Sequence, residues 1–248
     1  MNETLLYMGS KHIEQYIAAN PVYWHEKKLA ERGGVGDQAG MPPTPMVYEF
    51  LHLLKIKQSL FTQAEYRDHC FQEWYEWPAL WDALLKKGVE AKLYRNVYPS
   101  MVDSLYVYSL LVEARWFDKC VLDSTADAIS KHDLLVFRGD LPPIALDLFA
   151  GSVSAINDRQ YKKMHRRALS GIDCQAYEVP LPMGRPQKHP GNKRWYCLKD
   201  FEQVYIDYCK EYSLWDTPVV SCTCGCCGKG KNVRTSVSLF TGMPKVRV

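Results

Sequence analysis

The 248-residue sequence contains no apolar run approaching the roughly 20 residues that a membrane-crossing helix requires, which argues against a helical membrane protein. Its first residues, Met1-Asn-Glu-Thr-Leu-Leu-Tyr7, lack a basic stretch followed by an apolar one, so no secretory signal is expected. Without such a signal the nine cysteines, an odd number, do not read as a disulfide framework. They read as thiols or metal ligands in a reducing cytoplasm. There is no internal repeat, no Ser-His-Asp spacing, no glycine-rich dinucleotide loop and no kinase-like motif. Gly228-Lys-Gly-Lys231 is too short for a phosphate-binding loop, because the spacing needed before the lysine is missing.

What is present is an ordinary globular balance, with 47% apolar and 24% charged residues, in a chain long enough to bury a proper core. Seven Trp and sixteen Tyr are a generous supply, serving either the core or the stacking of exposed bases. The net charge of +3 hides an asymmetry. Residues 159–248 carry 16 Lys and Arg against 7 Asp and Glu, whereas residues 1–158 carry 15 against 21. A basic C-terminal third suits a polyanionic partner.

Apolar spacing predicts helices over residues 3–32, with Pro21 opening a new one after Asn20, and again from Met46 to Lys87. Between them, residues 33–45 hold four Gly and three Pro and read as a loop. Thr62-Gln-Ala-Glu65 matches a capping box. Trp74, Trp77 and Trp81 recur at helical spacing and are expected to form a core stripe. Pro99 to Arg115 reads as another helix. Short apolar runs at Phe117–Asp123, Asp133–Arg138, Pro143–Phe149 and Cys174–Val179 read as strands, a basic helix is expected over Asn157–Leu169, and a further helix over Phe201–Tyr212. The implied organisation is a mainly helical region over residues 1–98, an α/β core over 99–216 and a Cys-rich segment over 217–248.

The most informative stretch is Asp133-Leu-Leu-Val-Phe-Arg-Gly-Asp-Leu-Pro-Pro-Ile-Ala-Leu-Asp-Leu-Phe149. It reads as strand, tight turn and strand, with an acid opening the first strand and Asp147 near the end of the second. Asp147 lies in an apolar run, where a charge is costly unless paired or metal-bound. Two such carboxylates on neighbouring strands could share Mg²⁺, which favours hard oxygen ligands. This order of elements and acids resembles the PD-(D/E)XK family of restriction-endonuclease-like nucleases, and locally the nuclease motif of type I restriction enzyme motor subunits. There an Asp opens a strand, a turn with Gly and Pro follows, and the next strand ends in Glu-x-Lys. Asp133, Gly139, Pro142 and Asp147 stand in those places, and the likeness runs from Glu113 to Val179.

The resemblance implies a mixed sheet flanked by helices, and a metal-dependent DNA endonuclease using Mg²⁺ or Mn²⁺. Asp133 and Asp147 would be the metal carboxylates, and Glu113, late in the preceding helix, the accessory acid. Phe149 stands where that family has its catalytic lysine. Three outcomes are open. The cation could come from the following helix, through Lys162 or Lys163. The fold could have lost hydrolysis and serve as a nucleic-acid-binding or assembly subunit, with a protein partner or a second copy. Or the resemblance could be coincidental.

Arg159, Lys162, Lys163, Arg166 and Arg167 fall at i, i+3, i+4, i+7 and i+8, so a helix would gather all five cations on one face. Phosphates would relieve their repulsion, gripping a backbone without reading its sequence. Lys188, Lys193, Arg194 and Trp195 add a second basic stretch. Finally, Ser221-Cys-Thr-Cys-Gly-Cys-Cys227 holds four thiols within six residues, Cys222 to Cys227. Cys224 and Cys227, with the glycines that follow, are similar to a zinc knuckle. A complete Zn²⁺ site would need two more ligands, for which Cys174, Cys197, Cys209 and His189 are candidates. A thiol redox site and plain buried or free thiols are the alternatives.

Overall fold

A computed structural model describes residues 8–20, 39–122, 132–150, 174–181 and 196–212. The chain is mixed α/β. Helices α1 (Ser10–Ala19), α2 (Met46–Lys57) and α3 (Gln63–Glu73) are followed by a 3₁₀ turn (Pro78–Leu80) and α4 (Ala83–Lys92). A π-type turn (Leu93–Val97) then leads directly into α5 (Tyr98–Ala114). Strands β1 (Lys119–Val121), β2 (Leu134–Phe137), β3 (Ile144–Ala150) and β4 (Gln175–Leu181) precede α6 (Leu198–Glu211).

Helix α5 organises the molecule. It is apolar all round, so it must be covered on every side. Met101, Val102 and every residue from Ser104 to Leu111 are buried. It packs against α1, α2, β1 and α6, and a continuous apolar cluster runs from Ile13 through Phe50, Leu105 and Val136 to Tyr208. Phe50, Phe61, Tyr66 and Tyr98 pack ring to ring with centroids 4.8–6.1 Å apart. The Tyr66 hydroxyl donates to the Met46 carbonyl at 2.6 Å, which fastens α3 to the start of α2.

The helix ends follow local chemistry. Thr62 and Glu65 form the predicted capping box: Thr62 Oγ1 accepts from the Glu65 amide at 3.2 Å, and Glu65 Oε2 accepts from the Thr62 amide at 2.7 Å. Asp82 caps α4 by accepting from the amides of Leu84 and Leu85, both at 2.8 Å. The expected tryptophan stripe is not one helix face. Helix α3 stops at Glu73, Trp74 and Trp77 bracket a turn, and Trp81 is 73% exposed. Pro78 starts the 3₁₀ turn, Trp74 is buried in the core, and Trp77 packs half-buried against it.

The sheet has the order β1-β2-β3-β4. β1–β2 and β2–β3 are antiparallel, and β3–β4 is parallel. The β2–β3 connection is the predicted tight turn. Gly139 takes φ +54°, which a glycine adopts without a Cβ clash, and its amide donates to Asp118 Oδ2 at 2.6 Å. Leu134, Leu135 and Val136 are all buried, as are Ile144, Ala145, Leu146 and Asp147, so both faces of the central strands are covered. Leu134, Val136, Ile144, Leu146 and Val179 join the main core, whereas Leu135 and Ala145 form a small cluster of their own. Strand alternation groups Asp147 with Ala145 rather than with the main core.

Candidate active site at the end of the β2–β3 ladder

The β2–β3 register pairs Leu134 with Leu146. One further step would set Asp133 across from Asp147. There the regular ladder gives way to side-chain bonding. The Asp133 amide donates to the Leu146 carbonyl at 3.1 Å, and Asp133 Oδ2 accepts from the Leu148 amide at 2.5 Å. The carboxylate of one predicted acid thus grips the backbone beside the other. Asp147 is 1% exposed, and its Oδ1 lies 2.9 Å from Nδ1 of His132, itself buried. A neighbouring imidazole therefore satisfies one of the conditions under which that carboxylate can be buried.

Two further groups belong to this end of the sheet. Across the parallel β3–β4 pair, Glu178 is the Cα partner of Asp147, which gives Glu178 a place on the same sheet face. Tyr196, just before α6, is buried, and its hydroxyl lies 3.2 Å from the Phe149 carbonyl and 3.4 Å from that of Val179, bridging the ends of β3 and β4. Burial pushes its phenol well above the ordinary range, and the negative charges of Asp103, Asp133 and Asp200 push it further. Three carboxylates from α5, the β2 entrance and α6 thus bear on one hydroxyl.

Glu113 stands elsewhere. It lies near the end of α5, exposed, where Oε1 accepts from the Ser10 amide at 2.7 Å and Oε2 from the Ser10 hydroxyl at 2.6 Å. It serves the first turn of α1, whose opening amide it satisfies as an acid at a helix N-terminus should. The α5 acid whose charge reaches Tyr196 together with Asp133 is Asp103. Phe149, at the expected lysine position, is half-buried on β3 with Pro180 as its β4 partner.

Lys162, Lys163, Arg159, Arg166 and Arg167 lie outside the described residues, as do Cys224, Cys227, His189, Lys188, Lys193, Arg194 and Trp195. In the sequence the five cations fall in residues 151–173, the connection from the end of β3 to the start of β4. The suggested zinc ligands Cys197 and Cys209 are both buried in the core at α6, and the Arg138 guanidinium lies 3.6 Å from Cys209 Sγ.

Sequence reasoning missed His132 and Glu178 as members of this group. His132 was legible only as the neighbour of Asp133, and Glu178 becomes one only through the β3–β4 register. It also missed a second cluster. Glu49 and His52 on α2 and His69 on α3 offer three donor atoms within 4.8 Å of one another. The Glu-x-x-His spacing, which puts both side chains on one helix face, was the available signal.

Comparison with protein-family models, with curated proteins and with solved structures finds no match to this chain. Among the described residues no helix is long and apolar enough to cross a membrane.

Proposed function

We propose that this chain is a divalent-metal-dependent endonuclease with a restriction-endonuclease-like core. The reading rests on one observation: Asp133 and Asp147 belong to the same end of the β2–β3 ladder, with Asp133 bonded to the residue that follows Asp147. Helix α5, three strands and a fourth strand parallel to the third support the reading, and the helix expected over residues 157–169 lies outside the described residues.

The donor set suits the ion. Asp133 and Asp147 are hard oxygen ligands, as Mg²⁺ requires, and Glu178, the β4 register partner of Asp147, is exposed. A divalent ion held there would polarise a phosphodiester and make its bound water more acidic. The chain's own residues do the remaining work. Asp133 fixes the backbone at Leu148 and so the position of Asp147. Asp147 orients His132 through Nδ1, and His132 is the described nitrogen base closest to the acids, in the role that Phe149 cannot fill. The cations of residues 159–167, Lys162 and Lys163 among them, would hold the phosphate backbone.

The test is cleavage of supercoiled plasmid DNA by the purified chain with Mg²⁺ or Mn²⁺. Cleavage that disappears in Asp147→Asn and Asp133→Asn, both folded, supports the proposal. A second reading is a nuclease-fold protein that binds nucleic acid without cutting it. Phe149 at the lysine position and the engagement of Glu113 by Ser10 favour it. Tight, salt-sensitive DNA binding with no cleavage in either metal would establish that reading instead.

A further inference from the structure

The strongest group outside the sheet is Glu49, His52 and His69. Glu49 is 2% exposed, yet it carries a carboxylate into the α2–α3 interface. A charge so placed needs compensation. His69 Nε2 lies 3.1 Å from Glu49 Oε2, and His52 Nδ1 lies 3.9 Å from the same oxygen. Two histidine rings thus converge on one carboxylate, their centroids 5.7 Å apart. His52 also stands beside the Tyr48 ring, with centroids 5.7 Å apart, and its side chain is 38% exposed, so it combines a face in water with a nitrogen turned toward Glu49.

A metal ion accounts for all three. A tetrahedral ion bound at about 2.0–2.1 Å sets its ligand atoms roughly 3.3 Å apart. The 3.1 and 3.9 Å separations from Glu49 bracket that value, and all three donor atoms lie within 4.8 Å of one another, so side-chain rotations would bring them into coordination. Both ligating helices are already fixed by their cores, α2 through Phe50, Leu53 and Leu54 and α3 through Tyr66 and Cys70. The backbone therefore need not rearrange. Two imidazoles and one carboxylate select a borderline first-row ion over Mg²⁺, and three protein ligands leave a fourth position open. The accessible side is that of His52, the most exposed ligand.

We infer that Glu49, His52 and His69 form a mononuclear zinc site joining α2 to α3, with one coordination position open to water or to an exogenous ligand. The site is independent of the carboxylates at the sheet, which are all-oxygen and suit Mg²⁺, so either can fail without the other.

The experiment uses the full-length chain stripped of metal, together with a full-length variant carrying Cys222→Ser, Cys224→Ser, Cys226→Ser and Cys227→Ser. Each is titrated with Zn²⁺ against a chromophoric chelator and with Co²⁺ by visible absorption. The expected result is one ion bound by the serine variant, with tetrahedral cobalt bands and no thiolate-to-metal charge-transfer band. His52→Ala in that background should weaken binding by about tenfold or more, because loss of a ligand costs no less than loss of its supporting partner. His52 is the most exposed of the three ligands, and circular dichroism checks that the variant is folded. His69→Ala should behave alike, and excess Mg²⁺ should not compete. Absence of ion binding in the serine variant, or unchanged affinity in His52→Ala, would overturn the inference.

Discussion

His132 Nδ1 and Asp147 Oδ1 stand 2.9 Å apart with both side chains buried, so the acid at the heart of the proposed site and its imidazole neighbour are placed by each other. Removing the imidazole should be felt in the fold as well as in the chemistry. His132→Ala withdraws a partner from a buried carboxylate, and a cost on the order of 1–3 kcal/mol is expected. Urea unfolding monitored by tryptophan fluorescence measures it. On the endonuclease reading, His132→Ala also lowers cleavage at fixed Mg²⁺ in molecules that remain folded, and a variant with the parent's rate would remove His132 from the mechanism.

Asp133 separates structure from chemistry. Asp133→Asn keeps an oxygen able to accept the Leu148 amide, whereas Asp133→Ala leaves that amide without its present acceptor. Alanine should therefore destabilise by about 1–2 kcal/mol more than asparagine. Both should abolish metal-dependent cleavage. Comparison of the two unfolding midpoints, with cleavage assayed at a temperature where both are folded, checks the pair.

Glu113 should behave as an anchor. Glu113→Gln weakens two charge-assisted bonds from Ser10 and is expected to cost about 1–2 kcal/mol, with hydrogen exchange accelerating first in α1. Cleavage per folded molecule should stay unchanged. A fully stable but inactive Glu113→Gln protein would return this residue to the catalytic group.

The capping box predicts a pH signature. The bond from Lys57 and the Thr62 amide hold the Glu65 carboxyl below its ordinary 4.5. A depressed carboxylate contributes stability that is complete above the unfolded value and disappears as pH falls through the lower, folded one. The difference in unfolding free energy between the parent and Glu65→Gln should thus be full at neutral pH and vanish below pH 4.5 as Glu65 protonates. The residue is largely exposed, so the amplitude will be small and reduced by salt. A difference that grows on acidification would contradict the assignment.

The local elements were legible in the amino-acid order, because their causes are local. Short apolar runs bounded by turn residues marked β2 and β3, Gly139 the turn between them, Thr62 and Glu65 the start of α3, and the apolar spacing from Pro99 to Arg115 the buried helix. The tryptophan spacing misled because periodicity does not register where a helix stops: α3 ends at Glu73, and Pro78 starts a separate 3₁₀ turn between Trp77 and Trp81. Which side chains meet was set by the packing of these elements. Strand register brings Asp133 beside Leu148 and gives Asp147 its β4 partner Glu178, helix packing brings His69 to Glu49 and His52, and the docking of α1 engages Glu113 with Ser10. These are contacts between residues 15 to 103 positions apart or set by interstrand hydrogen bonding, and no local propensity encodes them.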